Sequence, residues 1–300
     1  MIKNKFKTKI LLLIICLLVM LISTKKKELQ IKEEVIYTGL NVYPAPIYLT
    51  DKDNYLAKTE VELEGKTDLD KAREIIEILI NDGKYEEKIP NGFKSVISSN
   101  TKIIDISLKD KILKINFNSS LLEINENKVI ESLTYSLTSQ ENIDGIIIFI
   151  NDKILNTDYN IPLTKEIGIN KIFDLDNIED VTNVTVYYLN KYNDLTYYVP
   201  VTKYMNDTRD KLTLIIEELN QTSTYTTNLM TFMNNDVKLI SSTLEDENLI
   251  LNFNEAILED ENYILEEVIY TILYSIEDNF EVKSVIFNVE NKKILKKDLK

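Results

Sequence analysis

Histidine is absent from the 300-residue chain, and cysteine occurs once, at Cys16. Without imidazole, the commonest general base and metal ligand, no Ser-His or Cys-His catalytic device can be assembled within the chain. One cysteine permits no intrachain disulfide, and zinc sites built from cysteine or histidine are excluded with it. Six glycines and five prolines are too few for a collagenous or linker-dominated chain. Charge is mixed with 44% hydrophobic residues, which argues against general disorder. Tryptophan is also missing, whereas tyrosine occurs 17 times. The length exceeds a typical single domain, so two domains with accessory segments are expected.

Charge is distributed unevenly. Residues 1–27 hold seven lysines and no acid, leaving 28 basic against 49 acidic residues in the remainder, a net charge of −21. Such a body repels phosphate backbones, so nucleic acid is not expected as a partner. Solubility is the ordinary reason for an acidic surface.

Lys3, Lys5, Lys7 and Lys9 precede an apolar run from Ile10 to Ile22, followed by Ser23, Thr24 and Lys25 to Lys27. This is the layout of a secretory signal. The run's 13 residues are short for a spanning helix, but snorkelling lysines extend its reach. No small-residue cleavage motif follows, so residues 1–24 are read as an uncleaved membrane anchor with a cytoplasmic N-terminus, the remainder being exported. Cys16 invites lipidation, as in bacterial lipoproteins. Ile15 stands where such signals want a small residue, so an apolar cysteine within the anchor is the preferred reading.

Self-comparison reveals a duplication. At a shift of 140, Tyr48-Leu49 meets Tyr188-Leu189, Asp70-Lys71 meets Asp210-Lys211, and Ile75-Ile76-Glu77 meets Ile215-Ile216-Glu217. At 136, Asp110 meets Asp246 and Asn116-Phe117-Asn118 meets Asn252-Phe253-Asn254. Tyr135-Ser136 is then matched to Tyr270-Thr271, and Ile146, Ile148 and Ile150 to Val285, Phe287 and Val289. Ala72, Ile75, Ile76, Leu79 and Ile80 follow a helical stripe, as do Leu265, Val268, Ile269, Ile272 and Ile276. Ile104, Ile106 and Leu108 alternate as a half-buried strand, and so do Leu113, Ile115 and Phe117. Acidic turns at Lys109-Asp110-Lys111 and Glu245 to Asn248 predict hairpins. The fold class is therefore α+β: two tandem β-β-α-β-β-α-β copies with helices on one face of a mixed sheet. The copies span 42–156 and 184–298, with connecting segments at 25–41 and 157–183.

This ordered pattern resembles the GerM domain family. The likeness rests on the strand Val186-Tyr187-Tyr188-Leu189, the helix end Glu217-Glu218-Leu219 and the run Lys238 to Ser242. It continues through Leu251-Asn252-Phe253-Asn254 and Tyr270-Thr271-Ile272-Leu273, and closes at Val289-Glu290-Asn291. Asn291 and Asp152 replace the family's closing glycine, and both residue types tolerate a left-handed turn. The resemblance implies a cell-envelope protein, anchored or lipidated, acting in sporulation or germination through contacts with other envelope proteins. It supplies no catalytic residues and no cofactor.

Carboxylate clusters such as Glu259-Asp260-Glu261 and Asp246-Glu247 fall in turns, where solvated charge is usual. No calcium-loop pattern occurs in the chain, and no metal site is expected. Asp70 and Asp210 suit helix starts and Asp110 and Asp246 suit hairpin turns, leaving Glu77 and Glu217 as the shared acids without such a role. About half of Tyr187, Tyr188, Tyr197 and Tyr198 are expected to face a core, and Ser136 and Thr271 to let their helices approach a sheet. Two readings follow. The first is a non-enzymatic, anchored binding or scaffold protein with envelope partners or peptidoglycan. The second is a peptidoglycan hydrolase using paired carboxylates, which needs two acids converging in one cleft. Duplication favours binding, since linkage raises avidity whereas a second catalytic site only doubles a rate.

Overall fold

The computed structural model describes residues 43–123, 125–177, 179–221, 228–259 and 263–299. The first copy runs β1 (Tyr43–Thr50), β2 (Leu56–Leu63), α1 (Asp68–Ile78), β3 (Ile103–Lys109), β4 (Ile112–Phe117), α2 (Glu126–Thr138), β5 (Gly145–Ile150) and β6 (Lys153–Ile154). A short strand, β7 (Ile172–Asp174), lies between the copies. The second copy repeats the order as β8 (Val181–Tyr192), β9 (Leu195–Asn206), α3 (Lys211–Asn220), β10 (Leu239–Glu245), β11 (Asn248–Phe253), α4 (Glu266–Asn279), β12 (Ser284–Val289) and β13 (Lys292–Asp298). The α+β class and the β-β-α-β-β-α-β order hold in both, with one further strand closing each copy.

Strand order alone does not convey how the sheets divide. Each copy has its own four-stranded mixed sheet, β3-β4-β5-β6 or β10-β11-β12-β13. The opening hairpins leave those sheets and join one another: β2 meets β9 at Lys58 and Tyr198. Along its other edge β9 pairs throughout with β8, while β7 extends the β2 side at Lys203 to Met205. A lone two-stranded hairpin is marginal in water, and merging two of them into a five-stranded sheet removes that weakness.

Local chemistry explains the repeated elements. The hairpins predicted at the acidic turns are present, and Asp110-Lys111 and Asp246-Glu247 both have positive φ at two successive residues, the type I′ geometry. Asn151-Asp152 and Glu290-Asn291 repeat it between the last strands, with φ of 66° at Asp152 and 62° at Asn291. Within the duplicated Asn-Phe-Asn, Phe117 and Phe253 are fully buried. The first Asn anchors the closing turn: Asn116 Nδ2 donates to Asp152 (2.7 Å), and Asn252 Nδ2 to Asn291 (2.9 Å). The second accepts from the strand entry, Lys102 N–H to Asn118 (2.9 Å) and Lys238 N–H to Asn254 (2.8 Å).

The outer edges of the shared sheet are closed by helix side chains. Tyr48 N–H donates to Ser136 Oγ, and Tyr187 N–H to Ser275 Oγ, both at 2.9 Å. Asn279 exchanges two bonds with the Thr185 backbone, and Ser132 Oγ donates to the Tyr48 carbonyl (2.6 Å). These contacts correct two sequence matches. Ser136 corresponds to Ser275 rather than Thr271, one helical turn away, and Tyr48 corresponds to Tyr187 rather than Tyr188. A helical stripe recurring every three to four residues matches itself nearly as well one turn along, so periodicity could not fix the Ser136 register, and the adjacent Tyr187 and Tyr188 offer Tyr48 two matches by residue type.

The interior runs through both copies. Val184 to Asn190 are buried without interruption, as are Ala45 to Leu49, because these strands are covered on both faces. The connection between copies also contributes: Leu163, Ile167 and Ile169 are buried. Asn170 exchanges bonds with the Leu56 backbone and donates to the Pro200 carbonyl, tying β2 to β9 beside their single bridge.

Candidate functional site

Glu77 and Glu217 occupy different environments. Glu77 borders a cleft of ≈330 Å³ on the first copy with Arg73, Glu74, Lys84 and Tyr85. Glu74 is fixed there by three donors: Glu64 N–H (3.0 Å), Gly65 N–H (2.9 Å) and Lys88 Nζ (2.7 Å). A Cβ on Gly65 would lie 2.6 Å from the Lys71 backbone nitrogen, so only glycine brings the chain this close to α1. Burial alone would raise the Glu74 pKa, but Lys88 and the two N–H groups outweigh it and hold the carboxyl below its ordinary value. An acid kept ionised in this way is unsuited to general-acid work. In the second copy Leu214 stands at the position of Glu74, and Glu217 is paired with exposed Arg209 (2.6 Å). The Glu74 arrangement is therefore not repeated in the second copy. Glu74 was the residue that sequence reasoning passed over, although an acid inside the apolar stripe, between Ala72 and Ile75, was its signal.

A second cluster lies where the copies meet. Tyr48 Oη and Tyr187 Oη are 2.8 Å apart, Tyr187 donates to Asp278 (2.7 Å), and Asp278 pairs with Lys165 (2.6 Å). Tyr135 donates to the Lys165 carbonyl (3.0 Å). Lys58 sits beside this chain, 3.3 Å from the Tyr274 ring centroid and 3.8 Å from Glu277. Burial, partly offset by Glu277, pushes the Lys58 pKa down to about 8. For Lys165 burial also opposes charge, but Asp278 outweighs it and the pKa is raised. At the far end of the seam Asp51 accepts from Asn190 and Tyr197, both at 3.0 Å.

The remaining candidates have structural roles. Asp210 is the N-cap of α3, accepting from Thr213 N–H (2.9 Å). Asp70 completes a capping box with Thr67 at the start of α1. Tyr187, Tyr188 and Tyr197 are all buried, more than half of the four, because both faces of the shared sheet are covered. Glu259 bridges to Tyr263 through backbone, while Asp260 and Glu261 lie outside the described residues, as do Cys16 and the anchor segment. Among the described residues there is no metal-binding group of acids, and no helix is long and apolar enough to cross a membrane.

Residues 46–156 and 185–295 each match the family described as "Germane: Sporulation and spore germination". The chain belongs to the Germane family. Over 265 residues it is 31% identical to spore germination protein GerM of Bacillus subtilis (strain 168), covering 82% of this chain and 71% of that protein. Its structure is similar to the tandem GerMN domains of the sporulation protein GerM from Bacillus subtilis, with a TM-score of 0.76 and 29% identity. That match covers 84% of this chain and 92% of the other. The expected resemblance and duplication are thus established, and the Germane copies are joined by the Tyr48–Tyr187 seam.

Proposed function

We propose that this Germane protein is a non-enzymatic scaffold of the bacterial cell envelope, anchored in the membrane by its N-terminal segment. Its tandem body lies outside the cytoplasm and acts in sporulation or germination by holding other envelope proteins. The carrying observation is that the buried acids of the described residues are committed to structural partners: Glu74 to Lys88, Asp278 to Lys165, Glu131 to Lys171, and Asp51 to Asn190 and Tyr197. Among the described residues, none of these four buried carboxylates is left without a partner. The lysine-flanked apolar run supports anchoring, and the name of the Bacillus relative supports the biological process.

The test has two arms. Protease added to intact spheroplasts should digest the body, and complete protection would overturn the orientation. Purified protein incubated with peptidoglycan sacculi should release no soluble fragments above a boiled control. Release that disappears in a Glu77→Gln, Glu217→Gln double variant would select the paired-carboxylate hydrolase instead.

A further inference from the structure

The acidic body carries one concentrated exception. Five of the basic residues outside the N-terminal 27 fall between Lys292 and Lys300, with Asp298 the only acid among them. Four of the five, Lys292, Lys293, Lys296 and Lys297, lie on β13, the outer strand of the second copy's mixed sheet. At about 3.4 Å per residue they occupy roughly 17 Å of edge. Lys292 and Lys297 pair with buried Val289 and Val285, on the covered side of the sheet, whereas Lys293 and Lys296 pair with Asn288 and Ile286 on the other side. The lysines therefore flank the edge two and two, and a flat surface meeting that edge reaches all four. Lys296 is 3.5 Å from Asp298, the other three have no ion pair among the described residues, and Lys297 lies 5.3 Å from the Tyr270 ring centroid. At the same place in the first copy, β6 has two residues and a single lysine, so the fold itself does not call for the cluster.

We propose that β13 is the edge by which the body rests on the membrane, its lysines engaging the anionic headgroups of phospholipids. The proposal rests on the reading of the N-terminal segment as an anchor. Only 20 residues, 23–42, separate the end of the apolar run from β1, a reach of at most about 70 Å. Headgroups are therefore the anions that the tether holds beside the body at high local concentration. Clusters of four or more lysines close to a bilayer are a mark of anionic-lipid binding. The acidic remainder is repelled by the same surface, so attraction at one edge and repulsion elsewhere orient the body as well as attach it. Guarding an edge against strand addition is the ordinary reason for such lysines. That role accepts charge of either sign, whereas headgroups require positive charge.

Residues 41–300 form one compact unit, and the similar Bacillus structure is likewise of tandem domains, so this part can be tested without the anchor. At low salt it should co-sediment with vesicles of equimolar phosphatidylglycerol and phosphatidylcholine but not with phosphatidylcholine alone, and high salt should release it. Lys292→Glu, Lys293→Glu, Lys296→Glu and Lys297→Glu combined should lower the partition coefficient at least about tenfold while the unfolding temperature is kept. The milder Lys293→Gln, Lys296→Gln pair should lower it by an intermediate amount. The same charge reversal at exposed Lys66, Lys102, Lys109 and Lys114 of the first copy should lower it far less. The proposal is overturned if the wild-type body ignores anionic vesicles or if both quadruple variants lose equally. It is also overturned if the four lysines govern retention on peptidoglycan sacculi bearing anionic polymers and not on vesicles. No anchor takes part in this assay, so a failure of the anchored reading appears separately, as protection from protease in spheroplasts.

Discussion

Tyr48 and Tyr187 hold equivalent places in the two copies, and their hydroxyl oxygens meet at 2.8 Å. Each backbone N–H is bound by the matching serine of its own copy's helix, so the side chains are aimed at one another by the same device used twice. A duplicated strand has thereby become an interface with itself, and the two copies act as one body.

Removing the Tyr187 hydroxyl should be more costly than removing that of Tyr48. Tyr187→Phe loses bonds to both Tyr48 and Asp278, and should destabilise by about 1–3 kcal/mol. Tyr48→Phe loses one and should cost about 1 kcal/mol. In denaturant unfolding the double variant should lose less than the sum, since both share one bond.

Lys58 should give the body a distinctive alkaline response. Its folded pKa of about 8 lies below that of the unfolded chain, so the unfolded state binds more protons between the two values. Stability from this group therefore rises as pH increases above about 8. Relative to Lys58→Met, the wild type should gain up to about 3 kcal/mol between pH 7 and 10. Parallel unfolding curves of both proteins across that range measure it; an unchanging difference would refute the buried charge.

The helix register predicts an asymmetric result. Ser136→Ala and Ser275→Ala should each cost about 1–3 kcal/mol, because each leaves a buried strand N–H without a partner. Ser132→Ala should also destabilise, since Ser132 bonds the Tyr48 carbonyl. Thr271 bonds only carbonyls of its own helix, and Thr271→Ser should cost less than Ser275→Ala. Equal losses at Thr271 and Ser275 in chemical denaturation would restore the match at a shift of 135.

Glu74 and Glu77, one helical turn apart, should behave differently. Glu74→Gln weakens a charge-assisted contact with Lys88 and should lower stability by about 1.5–3 kcal/mol at neutral pH. The loss should shrink as pH falls, because a carboxyl with a depressed folded pKa contributes stability above its unfolded pKa and loses it on protonation. Glu77→Gln should change stability by less than about 0.5 kcal/mol. Thermal melts at neutral and acidic pH distinguish the two.

The sequence by itself determined the local units. Positive-φ turns at Asp110 and Asn291, caps at Asp70 and Asp210, amphipathic stripes and the buried Phe117 and Phe253 all follow from interactions spanning a few residues, and duplication made each legible twice. Tertiary structure alone decided how these units combine. The meeting of β2 and β9 joins residues 140 positions apart, and nothing in either hairpin's alternation announces the other as its neighbour. Lys58 and Asp278 are ordinary surface charges by sequence; only the docking of one copy on the other removes them from water. The helix register, too, was set by a hydroxyl reaching a distant strand, because hydrophobic periodicity is degenerate by one turn whereas a hydrogen bond is not.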